Sequence, residues 1–191
     1  MSAHGAVNRD GGGLGIADAA RAASKKGPPP VHLWDPPYCG EMDLTIRRDG
    51  TWWHEGSPIG RPALVRLFAS ILKRESDRHV LVTPAEKVAI AVEDTPFRAV
   101  DVEMGPDGLT FETDVGDRVL ADADHPIRVE EGPDGEPAPT VTVRHGPENG
   151  LEARIDRKTF YRLVDMAEER DGAMGVTSGG VFFALGSVGD G

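Results

Sequence analysis

A chain of 191 residues with 39% hydrophobic and 6% aromatic residues can fill one ordinary core or two small ones, which excludes a large multidomain assembly. The formal charge of −11, from 32 acidic and 21 basic residues, argues against non-specific binding to a phosphate backbone, because counterion release needs clustered Lys and Arg. Twenty-four glycines and fifteen prolines demand many turns, yet apolar runs are too frequent for wholesale disorder.

In chain order, residues 1–15 are glycine-rich and have little to bury against the entropic cost of ordering, so a mobile start is expected. Ile16, Ala19, Ala20 and Ala23 fall at helical spacing, and Gly27-Pro28-Pro29-Pro30 stops that helix. Residues 44–47 alternate as a strand, Asp49-Gly50 supplies the positive φ of a tight hairpin, and 51–54 return as the partner. Pro62 suits the first position of a helix whose buried face would be Leu64, Leu67, Phe68, Ile71 and Leu72. Strand-like runs follow at 79–82, 88–92 and 97–103. Pro106-Asp107-Gly108 turns into 109–113, and Gly132-Pro133-Asp134-Gly135 separates 127–130 from 140–144. Asp156 is a good N-cap for a second helix with Phe160, Leu163, Val164 and Ala167 as its apolar stripe, and 181–185 close the chain as a strand.

Some of these pieces recur in order. Leu44-Thr45-Ile46-Arg47 matches Val141-Thr142-Val143-Arg144 at an offset of 97, Arg66-Leu67 matches Arg162-Leu163 at 96, and 88–92 matches 181–185 at 93. The expected fold is therefore α+β and strand-rich, with two related, mainly antiparallel sheet-plus-helix halves produced by internal duplication. The expected divisions are a mobile segment with a short helix at 1–27, a first half at 28–104 and a second at 105–191.

Twelve of the acids lie between 101 and 136 against only Arg118 and Arg128, which predicts a solvated acidic face, or else a docking surface for a basic partner or divalent cations. The single cysteine, Cys39, excludes an internal disulfide, no run of about 18 apolar residues exists, and no apolar segment follows Met1 as a secretory signal would require. A cytoplasmic protein with no nucleic-acid and no membrane partner is expected.

No phosphate-binding Gly-x-x-x-x-Gly-Lys-Ser/Thr loop, Cys-x-x-Cys or His-Glu-x-x-His occurs, and Ser178 in Gly175-Val176-Thr177-Ser178-Gly179 sits one position away from a nucleophile elbow. The densest polar stretch, Tyr38-Cys39-Gly40-Glu41-Met42-Asp43, runs into the hairpin that ends Trp52-Trp53-His54. A thiol, two carboxylates and an imidazole there offer the parts of a Cys/His nucleophile pair or a mixed metal site. Against that stand commoner uses: a lone Cys packs as a small hydrophobe, and an Asp before a strand turns the backbone. Adjacent Trp52 and Trp53 point to opposite faces of a strand, so at most one is core. Arg61, Arg66, Lys73, Arg74 and Arg78 surround the first helix as a solvated face or an anion-holding cluster, and Glu86-Lys87 is an exposed turn or a pocket rim. The candidate ligand-binding residues are thus Cys39, Glu41, Asp43, Trp53, His54, Arg61, Glu86 and Lys87, with no catalytic residue, metal site or cofactor assigned.

The ordered series Pro28-Pro-Pro-Val-His-Leu-Trp34, Cys39-Gly-Glu-Met-Asp43, Asp49-Gly-Thr-Trp-Trp53, Gly56-Ser-Pro-Ile-Gly-Arg61, Leu64-Val-Arg-Leu-Phe68, Thr83-Pro-Ala-Glu-Lys87 and Val92-Glu-Asp-Thr-Pro-Phe97 resembles the bacterial proteins grouped as domain of unknown function 1285. The resemblance covers residues 17–190 and implies a soluble α+β protein, with no catalytic residues to carry over. The reading that follows is a binding or interaction module for a small molecule or a protein. The alternative is an enzyme with an unfamiliar site around Cys39, Glu41, Asp43 and His54. A homodimer is a further expectation, from short strand edges that need cover and from the paired tryptophans.

Overall fold

The computed structural model describes residues 12–144 and 150–188. These fall into two compact units: the described residues up to Leu44 with Trp53–Ala91, and Thr45–Trp52 with those from Val92 onward.

The first unit opens with α1, Gly12–Ala23, which begins before Ile16 and takes in residues 12–15, expected to be mobile; residues 1–11 of that start lie outside the described residues. Ile16, Ala17 and Ala20 are buried, and α1 packs against α2, Pro62–Ser70. Six strands make one sheet: β1 (Tyr38–Ile46), β2 (Trp52–His54), β3 (Ser57–Pro58), β4 (Leu72–Glu75), β5 (Arg78–Val82) and β6 (Lys87–Val92), in the order β3-β2-β1-β6-β5-β4. The hairpin turn at Asp49-Gly50 forms as expected: Arg47 N donates to Thr51 O at 2.8 Å, and Asp49 Oδ1 accepts from the Thr51 amide and hydroxyl. Gly50 takes φ 87°, and a Cβ there would meet Arg98 Cδ at 2.6 Å, so the turn admits only glycine.

The first helix is shorter than its apolar spacing predicts. Pro62 occupies the first turn, but α2 stops at Ser70; Ile71 leaves helical geometry and Leu72 starts β4, paired with Leu81. Ile71 and Leu72 are still completely buried. The chain meets the burial demand by turning into the sheet, where pairing to β5 outcompetes one more helical turn.

The second unit carries β7 (Phe97–Gly105), β8 (Gly108–Thr113), β9 (Arg118–Leu120), β10 (Ile127–Glu131), β11 (Pro137–Arg144), β12 (Leu151–Ile155), α3 (Arg157–Asp165), β13 (Glu168–Arg170), β14 (Ala173–Ser178) and β15 (Val181–Ser187). The 104/105 division read from sequence falls at the tip of the β7–β8 hairpin, inside this unit. Six of its strands form a sheet ordered β10-β11-β12-β7-β8-β9, and the last three form another, β13-β14-β15. Within the six-stranded sheet β12 runs parallel to β7, with Ala153 opposite Phe97.

The fold is α+β with two similar sheet-rich halves. Read from β9, the second six-stranded sheet runs 9-8-7-12-11-10, the same order as 3-2-1-6-5-4 in the first. Each sheet is two three-stranded runs joined at the first strand of one and the last strand of the other. The sequence offsets of 93–97 match the element order: β1, β2, α2 and β4-β5-β6 recur as β11, β12, α3 and β13-β14-β15, each a hairpin, a helix and a three-stranded antiparallel run. Each helix follows a hairpin and precedes a three-stranded run, α2 leading into β4-β5-β6 of the first sheet and α3 into the third sheet.

Phe97, Val102, Leu109, Phe111, Val141, Leu151 and Leu163 are buried in the second unit. Burial of each such side chain contributes about 1.5–3 kcal/mol. Ser178 joins two of its sheets: its hydroxyl accepts from Leu109 N at 2.7 Å and donates to Ala121 O at 2.7 Å. Gly108, at φ 133°, lies so close that a Cβ would meet Gly179 N at 2.8 Å. Asp156 caps α3 as expected, accepting from Thr159 N at 2.8 Å. Among the described residues no helix is long and apolar enough to cross a membrane.

Candidate functional site

The stretch rich in polar groups lies along β1, where neighbours in sequence are spread by about 3.3 Å per residue and alternate between faces. Glu55 N donates to Asp43 O at 3.1 Å, which sets Leu44 opposite His54. Cys39 is five residues further along the strand, about 16 Å away at ordinary strand rise, so the thiol and the imidazole do not meet. Cys39 is exposed and its Sγ lies 3.5 Å from Pro37 O. His54 Nδ1 lies 2.8 Å from the main-chain oxygen of Asp43, an acceptor only, so this nitrogen carries the proton and serves the hairpin. Glu41 and Asp43 are exposed, and among the described residues no three His, Cys, Asp or Glu side chains come together as metal ligands. Trp52 is buried and Trp53 half-buried, dividing as alternation requires.

Arg61 is exposed just before α2. Glu86 closes a turn through its backbone, its N–H reaching Thr83 Oγ1 at 3.2 Å and its carbonyl accepting from Thr83 N at 2.9 Å. Lys87 lines a pocket of about 440 Å³ with Tyr38, Glu75, Arg78 and Val80. Its ammonium is held between Asp35 at 3.0 Å and Glu75 at 3.0 Å, and Lys73 adds a contact to Glu75 at 3.1 Å and to Trp34 O at 3.2 Å. The hydrogen bond that Lys87 donates to Asp35, followed by the one it donates to Glu75, raises its pKa, so the amine stays charged and ties Asp35 to β4 and β6. Arg78 stacks over Tyr38, 5.5 Å from the ring centroid. This pocket is a web of satisfied ion pairs.

A second pocket, of about 360 Å³, lies wholly within the second unit where α3 begins. The start of β11 contributes Glu136, Pro137 and Pro139; the end of β12 contributes Arg154 and Ile155; α3 contributes Arg157, Phe160 and Tyr161. Arg154 is fixed by a bidentate pair to Asp94, Nη2–Oδ1 at 2.7 Å and Nε–Oδ2 at 2.9 Å, with Nη1 reaching Pro139 O at 3.3 Å. That hydrogen bonding holds the Asp94 carboxyl below its ordinary range and raises Arg154, so both remain charged and the guanidinium plane is immobilised. Arg157 pairs with Glu136 at 3.2 Å, and there both partners are mostly in water, 72% and 64% exposed. Tyr161 is 58% exposed beside the half-buried Phe160. Two flat rings, two prolines and one rigid arginine make a shallow, largely apolar slot with a charged rim, within the range of small-ligand sites.

The sequence reading treats Phe160 as core and passes over Arg154, Arg157 and Tyr161. The signal that points to them is the one used for Trp52-Trp53: adjacent aromatics on a helix lie 100° apart, so Phe160 and Tyr161 cannot both face one core.

The chain matches the family models described as "Domain of unknown function (DUF1285), N-terminal domain" over residues 29–95 and "Protein of unknown function (DUF1285), C-terminal domain" over residues 96–185. It is similar to the crystal structure of a DUF1285 family protein from Silicibacter pomeroyi DSS-3, at 54% identity and TM-score 0.82 over 98% of this chain and 97% of that one. A DUF1285 family protein from Shewanella baltica OS155 is similar at 27% identity and TM-score 0.52, over 65% of this chain and 91% of that one. No curated protein matches the chain. With both family domains matched end to end, the chain belongs to the DUF1285 family.

Proposed function

We propose that this chain is a binding module that retains a small ligand in the pocket at the start of α3 without transforming it. The observation that supports the reading is the condition of the polar groups there. Arg154 is committed to Asp94, Arg157 makes only an exposed pair with Glu136, and the rest of the wall is proline, isoleucine, phenylalanine and tyrosine. Proton-transfer catalysis needs a positioned donor or acceptor; no histidine, cysteine or lysine lines this slot, and its one carboxylate, Glu136, faces Arg157 at the rim. A concave apolar wall with a few fixed polar groups is what holding and orienting a ligand requires. The net charge of −11 disfavours nucleic acid as the occupant.

A titration of the ¹H–¹⁵N spectrum with a panel of small organic fragments tests this. Shifts should concentrate at 136–139 and 154–161 and weaken at least several-fold in Tyr161→Ala, whose exposed side chain is dispensable for folding. Shifts confined to the Cys39–His54 hairpin, or none from any fragment, would overturn the proposal.

A further inference from the structure

The two arginines of the α3 pocket are not equivalent, and the difference indicates what the pocket takes. Arg154 is a structural cation: its side chain is 25% exposed, its partner Asp94 18%, and the bidentate pair leaves no net charge to offer. Arg157 is the opposite case. It is held to Glu136 by one long contact between two exposed groups, a weak surface pair that an incoming anion can replace at little cost.

The body of the slot has its own preference. Pro137 and Pro139 present flat apolar faces from β11, and Phe160 and Tyr161 present rings from α3. A single planar ring fits such walls, since offset stacking on an aromatic face adds attraction beyond the area buried. The pocket volume of about 360 Å³ suits one ring with a short side arm.

We infer that the α3 pocket binds small aromatic carboxylates, the ring lying between the prolines and Tyr161 and the carboxylate displacing Glu136 from Arg157. This rests on the α3 pocket being the binding site and adds the ligand class and the residue that selects it. The guanidinium donates two N–H groups to the carboxylate in the planar fork that lysine cannot reproduce. Arg154 does not compete for the ligand, because Asp94 already occupies its paired face.

The test is calorimetric titration of the full chain with 4-hydroxyphenylacetate and with its neutral isostere 4-hydroxyphenylacetamide, against the wild type, Arg157→Gln and Arg157→Lys. Arg157 is exposed and makes no core contact, so both variants should fold, as a thermal melt will verify. The acid should bind the wild type at least tenfold tighter than the amide, the preference should vanish in Arg157→Gln, and Arg157→Lys should restore only part of it. Equal binding of acid and amide overturns the carboxylate preference while leaving the pocket as a binding site. An acid preference that survives Arg157→Gln overturns the role of Arg157. Failure of both compounds to bind any variant overturns the ligand class, and the fragment titration then decides whether the pocket binds anything.

Discussion

His79 shows how a single half-buried residue sets a pH dependence. It sits on β5 opposite Ile90, and burial, reinforced by the Arg74 charge on β4, pushes its pKa from 6.5 to about 4. Between these values the unfolded chain binds a proton that the folded chain refuses, so stability rises with pH through that window and is flat above it. The carboxylates with depressed pKa values, such as Asp94 beside Arg154, act lower: their stabilisation is present above the ordinary carboxylate value of 3.8 and is lost as pH falls further. The two effects therefore separate. Urea midpoints measured from pH 7 to pH 4.5 should fall for the wild type, and His79→Gln should flatten that fall; an unchanged slope in the variant would show that His79 is not the group being titrated.

At the scale of elements, the join between β8 and β14 depends on Ser178, which the sequence offers only as a near miss for a catalytic serine. In place it is a buried connector between Leu109 N and Ala121 O. Ser178→Ala should cost about 1–3 kcal/mol by leaving those groups without their partner. Gly108→Ala should cost more, since the left-handed backbone and the neighbouring Gly179 both oppose a side chain. Equilibrium urea unfolding measures both, and a neutral Ser178→Ala would refute the connector role. What was legible from sequence follows the same logic. The Asp49-Gly50 hairpin, the Asp156 cap and the alternating strands are written locally, in neighbouring residues. The strand β4 was hidden because Ile71 and Leu72 satisfy helical spacing as well as strand burial, and β13, Glu168–Arg170, is exposed throughout and carries no apolar period. The α3 pocket escaped for a related reason. Its walls come from two stretches about twenty residues apart in the chain, whereas the eye is drawn to Tyr38–Asp43, whose side chains a strand disperses.

Along the whole molecule the sequence matches at offsets of 93–97 fall in step with the elements: β1, β2, α2 and β4-β5-β6 recur as β11, β12, α3 and β13-β14-β15. The repeated strand order 3-2-1-6-5-4 and 9-8-7-12-11-10 was not legible, because it depends on pairings far apart in the chain. The acidic middle segment is partly self-neutralised: Arg118 pairs with Glu103 and Glu112, and Arg128 with Glu152. These pairs lie at the surface and contribute little to stability, so the excess charge acts on what approaches the molecule. The proposed function is retention of a small ligand in the α3 pocket without transforming it. Native mass spectrometry of the 20.4 kDa chain, incubated with the fragment that shifts the α3 pocket most strongly, reads this out. One ligand per chain is expected, released on denaturation at its original mass, with the complex much depleted in Tyr161→Ala; absence of a complex, or a ligand recovered at altered mass, would overturn that function.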